Sequence, residues 1–257
     1  MISDKAVISP KAKIGSGVTI YPFVYIEDDV VVGDGCVIYP FVSIMSGSTL
    51  GKRNKVYQAT VIGAVPQDFN YRGDTTRVEI GDDNVIRENV VINRATYGDG
   101  VTTIGNNNFI LEGVHISHDT IVGDRCVFGY GAKVAGNCEI HDSAILSSNV
   151  IANPGVRVGR AAMVSSGCRI SKDVPPYIVA NGNPTRYGGL NSQVLSSHGI
   201  GEKTQRHIAN AYRLVFHGQS NVFDEVNQVE EQVPDSEEIR NIISFIRDTK
   251  LGIISKI

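Results

Sequence analysis

The sequence predicts a solenoid closed by a small helical segment, and three observations carry that reading. An aliphatic residue occupies every sixth position in one phase, through Ile8, Ile14, Ile20, Ile26, Val32, Ile38, Ile44, Leu50, Val56 and Ile62. The phase resumes at Ile80, Ile86 and Ile92 and runs on from Ile104 to Ile170, with Phe128 and the short Ala152 among its occupants. A second, smaller apolar slot lies four residues after the first, as at Val18, Val24, Val30, Val42, Val90, Val114, Ala132 and Val150. Beyond Lys172 the six-residue period gives way to helical spacing. Helices repeat at 3.6 residues and flat strands at 2, so neither produces a period of six. Units of this kind bury their apolar side only by stacking on one another.

Each hexapeptide reads as a large inward residue, three turn or outward residues, a small inward residue and one more outward residue. Glycine is frequent directly after the large residue, at Gly15, Gly33, Gly51, Gly81, Gly105, Gly123 and Gly159 among others. A sharp corner with unusual backbone angles is the expected reason. Residues 66–77 and 97–102 lack the aliphatic, yet the phase survives both, which predicts two loops inserted at coil corners. Loops on a rigid scaffold are good places to hold a ligand. A connector rich in Pro, Gly and Asn follows Lys172. Three apolar stripes come next: Ile208, Ala211, Tyr212 and Val215; Val222, Val226, Val229 and Val233; and Ile239, Ile242, Ile243 and Ile246. Asp235 is the expected N-cap of the third, with Glu238 three residues on. Helices there could cover the exposed sheet edge that an end coil otherwise leaves.

Composition narrows the function classes. Charged residues are 20% of the chain and the formal net charge is −3, so no basic stripe points to nucleic acid and no acidic run to a tail. No apolar run approaches 18 residues and no signal-peptide pattern opens the chain, which reads as soluble and cytoplasmic. Cys36, Cys126, Cys138 and Cys168 all fall in the small inward slot, so they read as buried structural thiols.

The strongest chemical cluster is GVHISHD, residues 113–119. Val114 and Ile116 hold inward slots, so His115 projects outward, and His118 lies just beyond, near a corner. Acyl transfer to a hydroxyl needs a base, and an imidazole titrating near neutrality can take that proton. Neighbouring residues normally point to opposite faces, so Asp119 reaches His118 only if the corner turns it back.

The hexapeptide pattern resembles that of the hexapeptide-repeat acyltransferases. Their fold is an all-β left-handed parallel β-helix with three hexapeptides per coil, a known exception to right-handed crossovers. The likeness implies roughly nine coils stacked at strand spacing, about 45 Å tall, over residues 1–190, with a C-terminal helical domain over 191–257. GVHISHDTIVGDRC, together with PQDFNYRG, TRVEIGDDNVIREN, the Asn93-Arg94 turn, Val134-Ala135-Gly136 and KDVPPYIVANGNP, is similar to the UDP-N-acetylglucosamine acyltransferases. That resemblance runs nearly end to end. It implies transfer of a 3-hydroxyacyl chain from acyl carrier protein to the 3-hydroxyl of UDP-N-acetylglucosamine, the first step of lipid A synthesis. By the same resemblance His118 is the general base, Asp119 its orienting carboxylate and Gly136 the donor of an oxyanion-binding N–H. Gln67, Asp68 and His115 contact the sugar or acyl group, Asn191 the uridine, and Ser166 stands where the acyl length is measured. A homotrimer is implied, with no metal and no cofactor. An outer face offers His118 no pocket unless another subunit faces it.

Several positions depart from the family pattern. Asn137 stands where a histidine is common, Asn153-Pro154 where a His-Gln pair is common, and Asn70 where a lysine is common. Leu195, Ser196, Ser197 and His198 replace a basic cluster, and serine cannot replace that charge. Ser166, often glycine where the chain is long, implies a shortened or altered acyl pocket. Two alternatives stay open on these grounds. One is a paralogue acylating another nucleotide sugar or amino sugar, or using acetyl-coenzyme A; the other is a non-catalytic β-helix that binds nucleotide sugar or carrier protein. His115-x-x-His118 also invites a zinc reading, but zinc needs three or four convergent ligands and only His141 is near in sequence. His141 and His217 have no motif around them and read as surface residues.

Overall fold

Every hexapeptide contributes one very short strand, typically two residues such as Lys13–Ile14 or Val31–Val32, and then a turn. A strand pairs in parallel with the strand three units later, so three units make one coil. In this computed structural model, which describes residues 1–217 and 221–255, three sheets of nine, eight and ten strands form the walls of a prism. The last strand of the ten, Arg186–Leu190, is an antiparallel return on Ile178–Asn181. The side chain of His217 lies outside the described residues.

Register explains the six-residue phase. Ile26, Ile44, Ile62, Ile92, Ile116 and Val134 stack one above another on the inner side of the nine-stranded sheet. All are 1% exposed or less. Burying a side chain of this size contributes about 1.5–3 kcal/mol, so the ladder alone is a large share of the driving force. The small slot is buried too, and it holds all four free cysteines. Burial pushes the Cys126 thiol up to about 12 and the Cys138 thiol to about 11, so both stay protonated and packed.

Glycine after the large residue bears out the expected unusual backbone angle at Gly63, with φ 77°, but has a different cause at most of the other positions. Gly33 does not adopt a positive φ; instead, a Cβ on it would sit 2.5 Å from the carbonyl oxygen of Gly51 on the next coil. Close coil-to-coil approach therefore selects glycine there. The left-handed backbone falls two residues later, at Gly35, Arg53, Asp83, Asn107 and Arg125, in the second turn residue.

The two inserted loops are slightly displaced from the sequence expectation. Arg77–Ile80 and Val101–Ile104 are already strands paired with each other, so the irregular segments span 65–76 and 94–100. Both leave the nine-stranded sheet at the same corner, after Val61–Ala64 and Val91–Asn93, which are themselves paired.

The tail holds α1 (Ser192–Ser197), α2 (Glu202–His217), α3 (Val222–Gln232) and α4 (Glu237–Arg247). The short α1 carries Leu195, Ser196 and Ser197 within a helix rather than ahead of the first one. Residues of all three predicted stripes are buried, and the stripes face one another. The N-cap of α4 is Ser236, whose Oγ accepts from the Ile239 N–H at 3.3 Å; Asp235 instead pairs with Arg240. Tyr212 Oη donates to the Pro176 carbonyl at 2.6 Å, and the Arg157 guanidinium donates to Phe245 O at 2.7 Å. The helices thus close the last coil and also lean on the eight-stranded wall.

Candidate active site

His118 stands at the corner leading out of the nine-stranded sheet, directly after the strand His115–Ile116. That strand pairs with Val91–Asn93, so the corner of the 94–100 loop lies one coil beneath. Asp119 adopts φ 58°, and the left-handed turn swings its carboxylate back toward its neighbour. Oδ2 of Asp119 lies 2.8 Å from Nδ1 of His118. The carboxylate is held in turn by the Thr96 N–H, 3.2 Å from both oxygens, and the Asp119 N–H donates to Thr102 Oγ1 at 2.9 Å.

Thr96 Oγ1 also approaches His118 Nδ1, at 2.9 Å. A carboxylate can only accept, and Asp119 at 2.8 Å is the one within hydrogen-bond reach of the ring, so the contact favours the imidazole proton on Nδ1 and leaves Nε2 as the basic atom. Nε2 faces Asp68 Oδ2 at 3.5 Å, brought in by the 65–76 loop. Asp68 is itself oriented by the Asn70 N–H, 2.7 Å away. The two loops are tied together: Arg94 donates to Tyr71 Oη at 3.0 Å, and the Gly98 N–H donates to Asp74 at 3.0 Å.

Gly136 lies one coil above. A Cβ there would meet Cε1 of His118 at 2.4 Å and Nε2 at 2.7 Å, so the imidazole rests on bare backbone. Among the described residues nothing accepts from the Gly136 N–H. An unclaimed backbone amide beside a basic imidazole nitrogen is the arrangement that acyl transfer uses to hold a developing oxyanion.

The sequence places His118 on an open outer face, and this is corrected. Its residue exposure is only 8%, because Asp68 and Thr96 from its own chain cover the ring. His115, half-buried on the same outer face, has its pKa lowered by burial first, then by the Lys133 cation and by His118. Lys133 stands beside it in strand register. Gln67 is exposed on the loop next to Asp68.

Two expected contacts lie elsewhere in the chain. Asn191 is 5% exposed and its Nδ2 donates to the Ala161 carbonyl at 3.0 Å, joining the connector to a late coil. Ser166 is exposed in the turn after Met163–Val164, at the corner entering the nine-stranded sheet, whereas His118 is at the corner leaving it. A single chain does not bring either to His118. His141 follows the strand Glu139–Ile140 of the eight-stranded sheet, next to Glu139 and Phe245. Among the described residues no three His, Cys, Asp or Glu side chains are grouped to share a metal ion, and no helix is long and apolar enough to cross a membrane. Thr96 and Thr102 escape sequence reasoning; the available signal was that the second loop interrupts the coil directly under GVHISHD.

Prism, hexapeptide turns and a corner imidazole–carboxylate pair define a hexapeptide-repeat transferase. The family model described as bacterial transferase hexapeptide (six repeats) matches residues 11–44 and 102–136. A model described as UDP N-acetylglucosamine O-acyltransferase, domain 2, matches residues 173–254. The acyl-[acyl-carrier-protein]–UDP-N-acetylglucosamine O-acyltransferase of Thiobacillus denitrificans is 35% identical over 98% of both chains. The solved UDP-N-acetylglucosamine acyltransferase of Bacteroides fragilis superposes with a TM-score of 0.97 at 46% identity, over 99% of this chain and 100% of that one. For the Francisella novicida enzyme the values are 0.95 and 32%, over 100% and 94%. The chain belongs to the UDP-N-acetylglucosamine O-acyltransferase family, and with that family comes the left hand of the β-helix.

Proposed function

We propose that this chain transfers a 3-hydroxyacyl group from acyl carrier protein to the 3-hydroxyl of UDP-N-acetylglucosamine, the opening reaction of lipid A synthesis. The observation that carries the mechanism is the His118–Asp119 contact of 2.8 Å with the Gly136 backbone against the same ring. Nε2 of His118 removes the proton as the sugar oxygen attacks the thioester carbonyl carbon. Asp119 holds the resulting imidazolium in place, and the Gly136 N–H stabilises the tetrahedral oxyanion. When the intermediate collapses, the C–S bond breaks and the imidazolium returns its proton to the departing thiolate. Atoms and charge balance with no further reactant.

Asp68, already 3.5 Å from Nε2, accepts from a sugar hydroxyl or amide at the point where the acceptor must enter. Gln67 and half-buried His115 flank that entrance. Asn191 and Ser166 sit on other edges of the prism, which supports a homotrimer in which neighbouring chains complete each site. A carrier-bound donor and a nucleotide-linked acceptor fit a cytoplasmic enzyme.

The test is His118→Ala with an acyl-carrier donor and UDP-N-acetylglucosamine, read by mass spectrometry of the product. A loss of about 10²–10⁴-fold in kcat at unchanged melting temperature is expected. Full activity in that variant removes His118 as the base, whereas no product from wild type leaves the non-catalytic binding reading in its place.

A further inference from the structure

We propose that Lys133 is a positioning residue for acyl transfer, acting through His115: its fixed cation reserves that imidazole as an uncharged acceptor for a substrate hydroxyl. The inference rests on the acyl-transfer reading above. The motif holds two imidazoles three residues apart, no more than about 11 Å along even a fully extended backbone, and the fold gives them opposite surroundings. His118 has a carboxylate toward each ring nitrogen, Asp119 at 2.8 Å from Nδ1 and Asp68 at 3.5 Å from Nε2. The His115 ring has no hydrogen-bond or ion-pair partner among the described residues, and its charged neighbour on the adjacent strand is a lysine. Lys133 stands one coil above His115 on the outer side of the same sheet. Its ammonium donates to the Gly113 carbonyl, two residues before His115, so the charge is drawn down to the level of the His115 coil.

On the coil below, the residue in register with His115 is Val91, which carries no charge. The charged and titratable groups that act on the ring are therefore Lys133 from the strand above and His118 from the corner ahead. With burial acting first, both hold its pKa below the ordinary value. The chemical consequence is specific. A neutral imidazole offers one donor and one acceptor nitrogen, whereas an imidazolium offers donors only. During transfer His118 takes the sugar proton and carries a positive charge beside Asp119. A second imidazolium at His115 would oppose that charge, and it would lose the lone pair that can accept from a hydroxyl. The sugar and the 3-hydroxyacyl chain both present hydroxyls to such a lone pair. Two like residues whose surroundings push their protonation apart take different roles in one site. Here His118 is the imidazole that becomes charged, and His115 is the one that stays neutral.

The experiment follows kcat/KM from acid to alkaline pH for wild type, Lys133→Met and Lys133→Arg, with acyl-carrier donors bearing or lacking the 3-hydroxyl. Relative to wild type, Lys133→Met is expected to lose less than about twofold at a pH of about 7.5. The loss grows to as much as about tenfold near pH 5.5, where a ring titrating at about 6.5 is mostly charged. Lys133→Arg restores the wild-type profile. If the extra acid loss vanishes with the donor that lacks the hydroxyl, His115 accepts from the acyl chain; if it stays, His115 accepts from the sugar. An equal loss at every pH, no loss, or failure of arginine to restore the profile overturns the proposal. Proton NMR titration of the His115 ring in substrate-free protein, assigned with His115→Gln, tests the coupling without turnover. Its midpoint should stand below about 6.5 in wild type and rise toward that value in Lys133→Met. Equal midpoints refute the coupling even where acyl transfer is confirmed. If wild type forms no product while the midpoints differ, the acyl-transfer reading fails and takes the positioning role with it, although the coupling stands. Lys133 is exposed, and melting curves of both variants control for folding.

Discussion

The first coils and the middle coils are made from the same hexapeptide, yet only one of them carries a site. In the first coils the outward positions repeat without interruption: Tyr21, Tyr39 and Tyr57 stack at 5.1 and 4.4 Å, and Phe23 stacks on Phe41 at 5.3 Å. Residues one coil apart meet like with like, and the wall stays open to solvent. In the middle coils two loops leave one corner and fold back, and the outward imidazole of His118 becomes almost covered. There it meets groups from three segments, at Asp68, Thr96 and Gly136. The contrast teaches that stacking alone makes a surface of repeated identical contacts. Breaking the repeat at one corner is what brings unlike groups together.

Glycine substitution breaks the comparison most sharply, because the same steric defect has two different readouts. Gly136→Ala puts a methyl 2.4 Å from His118 Cε1 and must displace the ring or the backbone under it. Activity is expected to fall about 10²–10³-fold, the scale of a lost oxyanion donor, with melting little changed. Gly33→Ala puts its methyl 2.5 Å from the Gly51 oxygen, in a wall that does no chemistry. It should cost about 1–3 kcal/mol of stability and leave kcat of the folded fraction intact. Parallel urea melts and kinetics on the two variants check both halves; if both lose only stability, Gly136 is wall like Gly33.

What the sequence made legible follows the same division. Period six was enough for the coils, their two inward slots and the buried cysteines, since every large slot must face the same axis. It gave the right cause for glycine at Gly63 but the wrong one at Gly33 and its equivalents, because close approach between coils depends on neighbours a full turn away. The α4 cap moved by one residue, from Asp235 to Ser236, within the ordinary reach of either side chain. At the site, His118 and His115 were visible as outward residues in a motif. The closeness of Asp119 depended on φ 58° at its own corner, which residue order does not reveal. Thr96 and Asp68 reach the ring from loops whose paths carry no periodic signal, so the covering of His118 was not foreseeable.

Thr96→Val sharpens the comparison on a smaller scale. The substitution keeps the shape and the backbone N–H that holds Asp119, and removes only the hydroxyl 2.9 Å from His118 Nδ1. A hydrogen bond of this kind is worth about 0.5–1.5 kcal/mol, so kcat should drop about three- to tenfold at constant KM. A positioning role also predicts a changed pH profile of kcat, with Thr96→Ser restoring it. Loss of stability without either kinetic change assigns Thr96 to packing.

The smallest effect expected is electrostatic and belongs to His115. Its folded pKa is lowered, by burial first and then by the Lys133 and His118 neighbours, so the folded protein holds this ring neutral. In the unfolded chain the same ring takes a proton near its ordinary value of about 6.5. As pH falls through that value the unfolded state binds more protons than the folded one, and stability is lost; above it the term vanishes. Urea midpoints of wild type should therefore decline from about pH 7 toward pH 5 more steeply than those of His115→Gln, which cannot titrate. Lys133→Met should flatten the wild-type slope partway, because it removes one of the charges that disfavour the imidazolium while leaving the burial. An identical slope in all three proteins would mean that His115 protonates as freely in the fold as outside it. The outer wall next to the site would then be as well solvated as the open coils at the start of the chain.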